Sequence, residues 1–252
     1  EQFDLKYNRP DIILDRLGYA DTSLVNAYHQ AYLKRLKKSG FTEDMLKDDL
    51  NLPHIKIENR ESIPTISTGD SLKLNLKIED TKYPLDRINI WVNDVAIYGT
   101  NGISLRTKNY LTYQTTLTVP LAFGKNKIQI STLNQAGVES YKESVELECT
   151  AGKTQPDLYI VTIGVSNYKD SRFNLTYASK DANDMSSVFL KNNYFDKVFS
   201  KNLTDENVVL ENLSSLKTFL ADAEINDQVI IFVAGHGVLD ANFDYYFASH
   251  DM

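Results

Sequence analysis

The stretch Asp227-Gln-Val-Ile-Ile-Phe-Val-Ala-Gly-His-Gly-Val-Leu-Asp240 decides how the carboxy-terminal part of this chain folds. Val229 to Val233 are all β-branched or aromatic. Such a run predicts a strand buried on both faces of a parallel sheet. It stops at Ala234-Gly235, and His236 follows between two glycines. In open α/β sheets, ligand and catalytic groups gather beyond the carboxyl ends of the strands. A histidine there, with small neighbours that let a substrate backbone approach, is a candidate general base or acid. The alternative is a turn histidine that merely caps a strand.

On either side of it, strand and helix signals alternate. Leu158 to Val165 predicts a buried strand, and Ala178, Ala182, Met185 and Phe189 mark one helical face. Phe195 to Ser200 is a second strand candidate. Thr204 is a candidate cap for a helix whose apolar face is Val209, Leu213, Leu216 and Leu220. After the decisive strand comes the aromatic segment Phe243 to Ala248. This alternation predicts a parallel α/β sheet over 158–252. Residues 151–157, with Gly152 and Pro156, form a linker before it.

Residues 54–150 change period to two. Leu72, Leu74, Leu76 and Ile78 alternate with Lys73, Asn75, Lys77 and Glu79, and Ile88, Ile90 and Val92 do the same before a turn at Asn93-Asp94. Leu117 and Val119, Ile128 and Ile130, then Val145, Leu147 and Cys149 continue the pattern. Six or seven short strands at this spacing predict an antiparallel β-sandwich. Cys149, the only thiol, alternates inward and is expected as a core residue. Residues 1–53 form a short helical segment. Asp21-Thr22-Ser23 offers N-caps, Val25, Tyr28, Tyr32 and Leu36 recur at helical spacing, and Gly40 ends the helix. The basic cluster Lys34, Arg35, Lys37 and Lys38 favours the negative helix end and is expected to be solvated. Thr42-Glu43-Asp44 is expected to open a second short helix.

Composition sets the remaining bounds. A hydrophobic share of 42% and a charged share of 24% fit an ordinary globular protein of 252 residues with two domains. A net charge of -7 argues against a general nucleic-acid binder. No apolar run approaches the ~20 residues that cross a bilayer. One cysteine rules out an internal disulfide framework and fits a reducing, cytoplasmic compartment. The chain opens at Glu1 without a signal-peptide pattern, so upstream sequence is expected to have been removed.

Three motifs in order carry a family resemblance. They are Tyr159-Ile-Val-Thr-Ile-Gly-Val-Ser-Asn-Tyr168, Leu175-Thr-Tyr-Ala-Ser-Lys-Asp-Ala-Asn-Asp-Met185, and the strand ending in Ala234-Gly235-His236-Gly237. The segment 158–252 resembles the caspase-like fold of caspases and metacaspases, bacterial members in particular. The resemblance implies a cysteine endopeptidase in which a thiol attacks the scissile carbonyl, His236 manages protons and the amide of Gly237 holds the oxyanion. Asp181 matches the acidic position with which many metacaspases receive an arginine or lysine side chain. The alternative role for Asp181 is to favour the helix dipole. The preceding β-sandwich resembles the immunoglobulin-like modules of bacterial multidomain proteins, by pattern only.

The chain departs from the family in one respect. Caspases place the nucleophile roughly 50 residues after the histidine, yet no cysteine follows His236 and Ser249 is no convincing substitute. The parallel sheet is therefore expected to be incomplete, lacking the strand beside Val229–Val233. A second polypeptide, or the continuation beyond Met252, is expected to complete it and bring the cysteine. A non-catalytic caspase-like scaffold that binds partners is the alternative. A metal hydrolase built from His236, His250, Asp240, Asp244 and Asp251 ranks third, because no zinc-type spacing links them. No cofactor is expected, although calcium could be held by Asp240, Asp244 and Asp251. His29 and His54 are expected to be ordinary.

Overall fold

A computed structural model describes residues 2–47, 50–152, 155–191, 193–240 and 244–252. The chain divides into two compact units, Glu1–Gly152 and Lys153–Met252.

The first unit opens with three helices, α1 (Gln2–Tyr7), α2 (Pro10–Leu17) and α3 (Thr22–Ser39). Asp21 caps α3 by accepting from Leu24 N at 2.8 Å, and Gly40 closes it in the left-handed region at φ 75°. Of the expected helical stripe, Tyr32 and Leu36 are buried, with Leu5, Phe41, Leu46 and Leu133, whereas Tyr28 is exposed. Thr42-Glu43-Asp44 leads only into a 3-10 turn, Glu43–Met45. Arg35 of the basic cluster is not simply solvated, because it donates to Asn8 O at 2.5 Å and ties α3 to the end of α1.

Nine strands follow, namely β1 (His54–Ile57), β2 (Ile66–Ser67), β3 (Ser71–Glu79), β4 (Leu85–Val92), β5 (Val95–Ala96), β6 (Ile103–Ser104), β7 (Thr112–Pro120), β8 (Gly124–Asn134) and β9 (Glu143–Cys149). They exceed the expected number because β2, β5 and β6 are two-residue strands too short to show a period. One sheet has the order β1-β3-β7 and the other β2-β9-β8-β4-β5, with β6 also on β4. Their inward residues, from Leu72, Leu74, Leu76 and Ile78 on one side to Ile88, Ile90, Ile128 and Ile130 on the other, share a single core. Cys149 lies in that core at 1% exposure. Asn93 and Asp94 both have positive φ (50° and 66°), the conformation a two-residue hairpin needs to match strand twist.

The second unit contains β10 (Leu158–Gly164), α4 (Ala178–Leu190), β11 (Val198–Thr204), α5 (Leu210–Leu220), β12 (Gln228–Ala234), β13 (Gly237–Leu239) and β14 (Tyr245–Phe247). The sheet has the order β11-β10-β12 and both pairings are parallel. β10 is central and every residue of it is buried. Leu158, Ile160, Phe195 and Ile230 pack with Met185 and Phe189 of α4. Val161, Ile163 and Val165 pack on the other face with Leu213, Leu216, Phe219 and Leu220 of α5.

Three expectations for this unit are corrected. β12 is not buried on both faces. Ile230 and Phe232 turn toward the α4 side and are half-buried, but Val229, Ile231 and Val233 are 47%, 57% and 48% exposed. The reason is coverage, because the apolar face of α5 packs on β10 residues and leaves the β12 side open. Thr204 does not cap a helix. It precedes a 3-10 turn at Asp205–Asn207, and α5 starts only at Leu210. The second strand also runs later than its apolar residues suggest, because its pairing with β10 extends to Thr204.

Candidate active site

The site is assembled where β10 and β12 end. α4 approaches β10 closely there, since a Cβ on Gly164 would overlap the Ala178 carbonyl and lie 2.8 Å from Ala182 Cβ. The chain leaves β10 through Ser166, and two reciprocal bonds join that residue to α4. Ser166 N donates to Ser179 Oγ at 3.0 Å and Ser179 N donates to Ser166 Oγ at 2.9 Å. The loop then closes on itself, with Leu175 N donating to Ser166 O and Tyr168 N to Asn174 Oδ1, both at 2.8 Å.

That loop holds His236. The Tyr168 hydroxyl accepts from His236 N at 2.8 Å, and His236 Nε2 lies 2.9 Å from the Phe173 carbonyl oxygen. A carbonyl only accepts, so the bond places the proton on Nε2 and leaves the Nδ1 lone pair as the basic site of the neutral ring. The rings of Tyr168 and Phe173 stand 5.3 and 6.2 Å from the imidazole and frame it. Gly235 gives room here, since a Cβ would sit 2.8 Å from the Phe247 ring and 3.0 Å from the Tyr168 hydroxyl.

Gly237 begins the β13–β14 hairpin. Ala248 N donates to His236 O at 2.9 Å, and Gly237 pairs with Phe247 in the antiparallel register. Bonded and non-bonded pairs alternate in such a ladder, so the Gly237 N–H turns away from β14. A Cβ on Gly237 would overlap the Tyr245 hydroxyl and ring. Asp181 sits in the first turn of α4, exposed, with its N–H donating to Tyr177 O at 2.8 Å. Its neighbour Lys180 pairs with Asp184.

Asp205 was not foreseen. It adopts a left-handed conformation at φ 48° in the turn after β11, and its carboxylate accepts from Ser166 N, Asn167 N, Ser179 Oγ and Asn167 Nδ2. Burial pushes this carboxyl up, but the bonds from Ser179, Asn167 and Ser166 outweigh burial and hold it below its ordinary value. Tyr168 and the Phe173 carbonyl were missed as well. A backbone carbonyl acting 63 residues from its partner leaves no trace in residue spacing.

The acidic and histidine residues downstream have local work. Asp240 Oδ1 accepts from Asp244 N at 2.8 Å and closes the hairpin. Asp251 accepts from Ser249 Oγ at 2.6 Å, and that bond lowers its pKa. His250 Nδ1 lies 2.6 Å from Asn167 O, so its ring holds the loop and does not face His236 as a metal partner. Among the described residues, no group of three or more His, Cys, Asp or Glu side chains could hold a metal ion. No helix among them is long and apolar enough to cross a membrane. In the first unit, His29 Nδ1 meets the buried Asp11 at 3.1 Å and is less ordinary than expected.

The second unit is thus an α/β domain with a framed histidine at the carboxyl edge of a three-stranded parallel sheet. Residues 159–252 match the Peptidase C14 caspase-domain family, which supports a caspase-like domain over this segment. No curated protein matches the chain. Among solved structures, the chain is similar to fibronectin(III)-like modules of Clostridium thermocellum CbhA at 16% identity and a TM-score of 0.29. That match covers 40% of this chain, which thus spans 47% of the other. It is also similar to the SrpA adhesin of Streptococcus sanguinis at 16% identity and a TM-score of 0.26, covering 53% of this chain and 75% of that one.

Proposed function

We propose that the second unit is the histidine-bearing half of a caspase-like cysteine endopeptidase that cuts after arginine or lysine. The observation that carries this proposal is the bond between His236 Nε2 and the Phe173 carbonyl, which leaves Nδ1 free to take a proton. In the proposed reaction, a thiol gives its proton to Nδ1 and the thiolate attacks the scissile carbonyl. The resulting imidazolium is stabilised by the Phe173 oxygen, and the Gly237 N–H faces the developing oxyanion. Collapse breaks the C–N bond, with Nδ1–H protonating the leaving amine, and water then releases the acyl group with His236 as base. Asp181 supplies the charge for a basic substrate side chain.

Cys149 cannot be the thiol, being buried in the core of the first unit. We infer that the nucleophile rides on a further strand laid beside β12, from a partner fragment or another segment of the same polypeptide. The bare apolar row Val229, Ile231 and Val233 supports this reading, since β12 has one open edge among the described residues and an edge of that kind invites pairing. The β-sandwich is read as an immunoglobulin-like module that positions substrate or regulates access, in a reducing, cytoplasmic setting.

The test is peptide hydrolysis by the cysteine-bearing form. His236→Ala should lower kcat by about 10²–10⁴-fold, as expected for a lost general base. Asp181→Asn should raise KM for arginine peptides with little change for the folded state. Unchanged hydrolysis by His236→Ala would refute the peptidase assignment and leave a binding scaffold.

A further inference from the structure

We propose that Asp205 is a positioning residue that fixes His236 and Asp181 in one frame. The inference deepens the peptidase reading and rests on it for the meaning of that frame, but its geometry stands apart from activity. Asp205 Oδ1 alone receives three bonds, from Ser166 N at 2.8 Å, Asn167 N at 2.8 Å and Ser179 Oγ at 2.6 Å. Oδ2 receives one more, from Asn167 Nδ2 at 3.2 Å. Two adjoining segments therefore converge on a single oxygen.

One of them is the loop that begins at Ser166. It is pinched shut by the Leu175–Ser166 and Tyr168–Asn174 bonds, so it behaves as one piece. It carries two of the groups that bond His236, the Tyr168 hydroxyl and the Phe173 carbonyl, the latter meeting the ring itself. The other segment is the first turn of α4, where Ser179 lies two residues before Asp181. Asp205 itself comes from the third element, the turn after β11. Its left-handed backbone is one that non-glycine residues seldom adopt, and such conformations persist where the surroundings over-determine them. His250 holds the carbonyl side of Asn167, so loss of Asp205 should loosen the loop without freeing it.

Ring nitrogen and amide NMR on this chain tests the proposal. In the wild type, neutral His236 should show the Nε2–H tautomer. Asp205→Ala should replace that signature by an averaged one and speed amide exchange at Ser166 and Asn167 by at least about tenfold. Asp205→Asn keeps an oxygen at Oδ1 for the three converging bonds, gives up only the Asn167 Nδ2 bond and tolerates the left-handed backbone, so it should keep the wild-type tautomer. Asp205→Gly removes the backbone strain and the acceptor together, and it should behave like alanine. That variant also replaces Asp205→Ala if alanine prevents folding. A folded Asp205→Gly with the wild-type His236 tautomer would overturn the proposal, as would an asparagine variant that fails to rescue. Because the readout is spectroscopic, inactivity of the peptidase would leave it intact.

Discussion

Gly164→Ala is the sharpest test of how the second unit is packed. The added methyl has no free direction, because it would overlap the Ala178 carbonyl and come within 2.8 Å of both Ala178 C and Ala182 Cβ. Two of these atoms are helix backbone and the third is a fully buried methyl, so no side chain can swing aside. Ordinary carbon contacts lie near ~3.5–4.0 Å, so α4 must retreat by about 1 Å. Retreat loosens Met185 and Phe189 against Leu158, Ile160 and Ile230. Overpacking of this kind costs about 1–3 kcal/mol. In a unit of this size that is a fall of roughly 5–20 °C in melting midpoint. Calorimetry would follow the transitions of both units, with Gly69→Ala in the first unit as a glycine substitution that has room. A Cβ at Gly69 meets only Ser67 Oγ at 3.9 Å and Ser71 O at 4.0 Å, so that variant should hold within about 0.5 kcal/mol. A Gly164→Ala midpoint within about 2 °C of wild type would refute the close approach of α4 to β10.

Three further outcomes are expected. Bonds from Arg9 hold the Asp11 carboxyl well below the ordinary carboxylate range, so its stabilisation is present above the unfolded value near 3.8 and is lost as pH falls below it. Urea midpoints at pH 7 and pH 3 should therefore differ less in Asp11→Asn than in the wild type, and an equal difference would contradict the assignment. Asn126 is buried and joins Ala122 N, Ala122 O and Gly124 O at 2.8, 2.7 and 3.0 Å, so Asn126→Ala should cost about 2 kcal/mol in denaturant titration. Ile231→Lys falls on the bare row of β12, so it should change stability by less than about 0.5 kcal/mol while reducing self-association seen by light scattering.

Much of the fold was legible because period and burial coincide. Leu72 to Ile78 alternate in sequence and in burial, and Ala178, Ala182, Met185 and Phe189 form the face of α4 that meets the sheet. Asn93-Asp94 announced its hairpin through the conformation those residues tolerate. The bare face of β12 was not legible, since composition reports what a strand could bury and not whether a helix reaches over it. At the proposed site, His236 stands out in sequence by its neighbours, and Gly237 and Asp181 enter only through the resemblance. Tyr168, Phe173 and Asp205 do not stand out, because their roles come from backbone carbonyls, amides and a turn brought together from three separate elements.

The backbone of β12 has two unlike sides. Ala234 O accepts from Val165 N and Gln228 N donates to Asp157 O, so the even-numbered residues turn their peptide groups inward, toward β10. Val229, Ile231 and Val233 consequently aim theirs outward, from the same positions whose side chains are bare. Deuterium uptake along this strand should run fast and slow at alternate amides, and a newly seated neighbour would silence the fast set while leaving the slow set as it was.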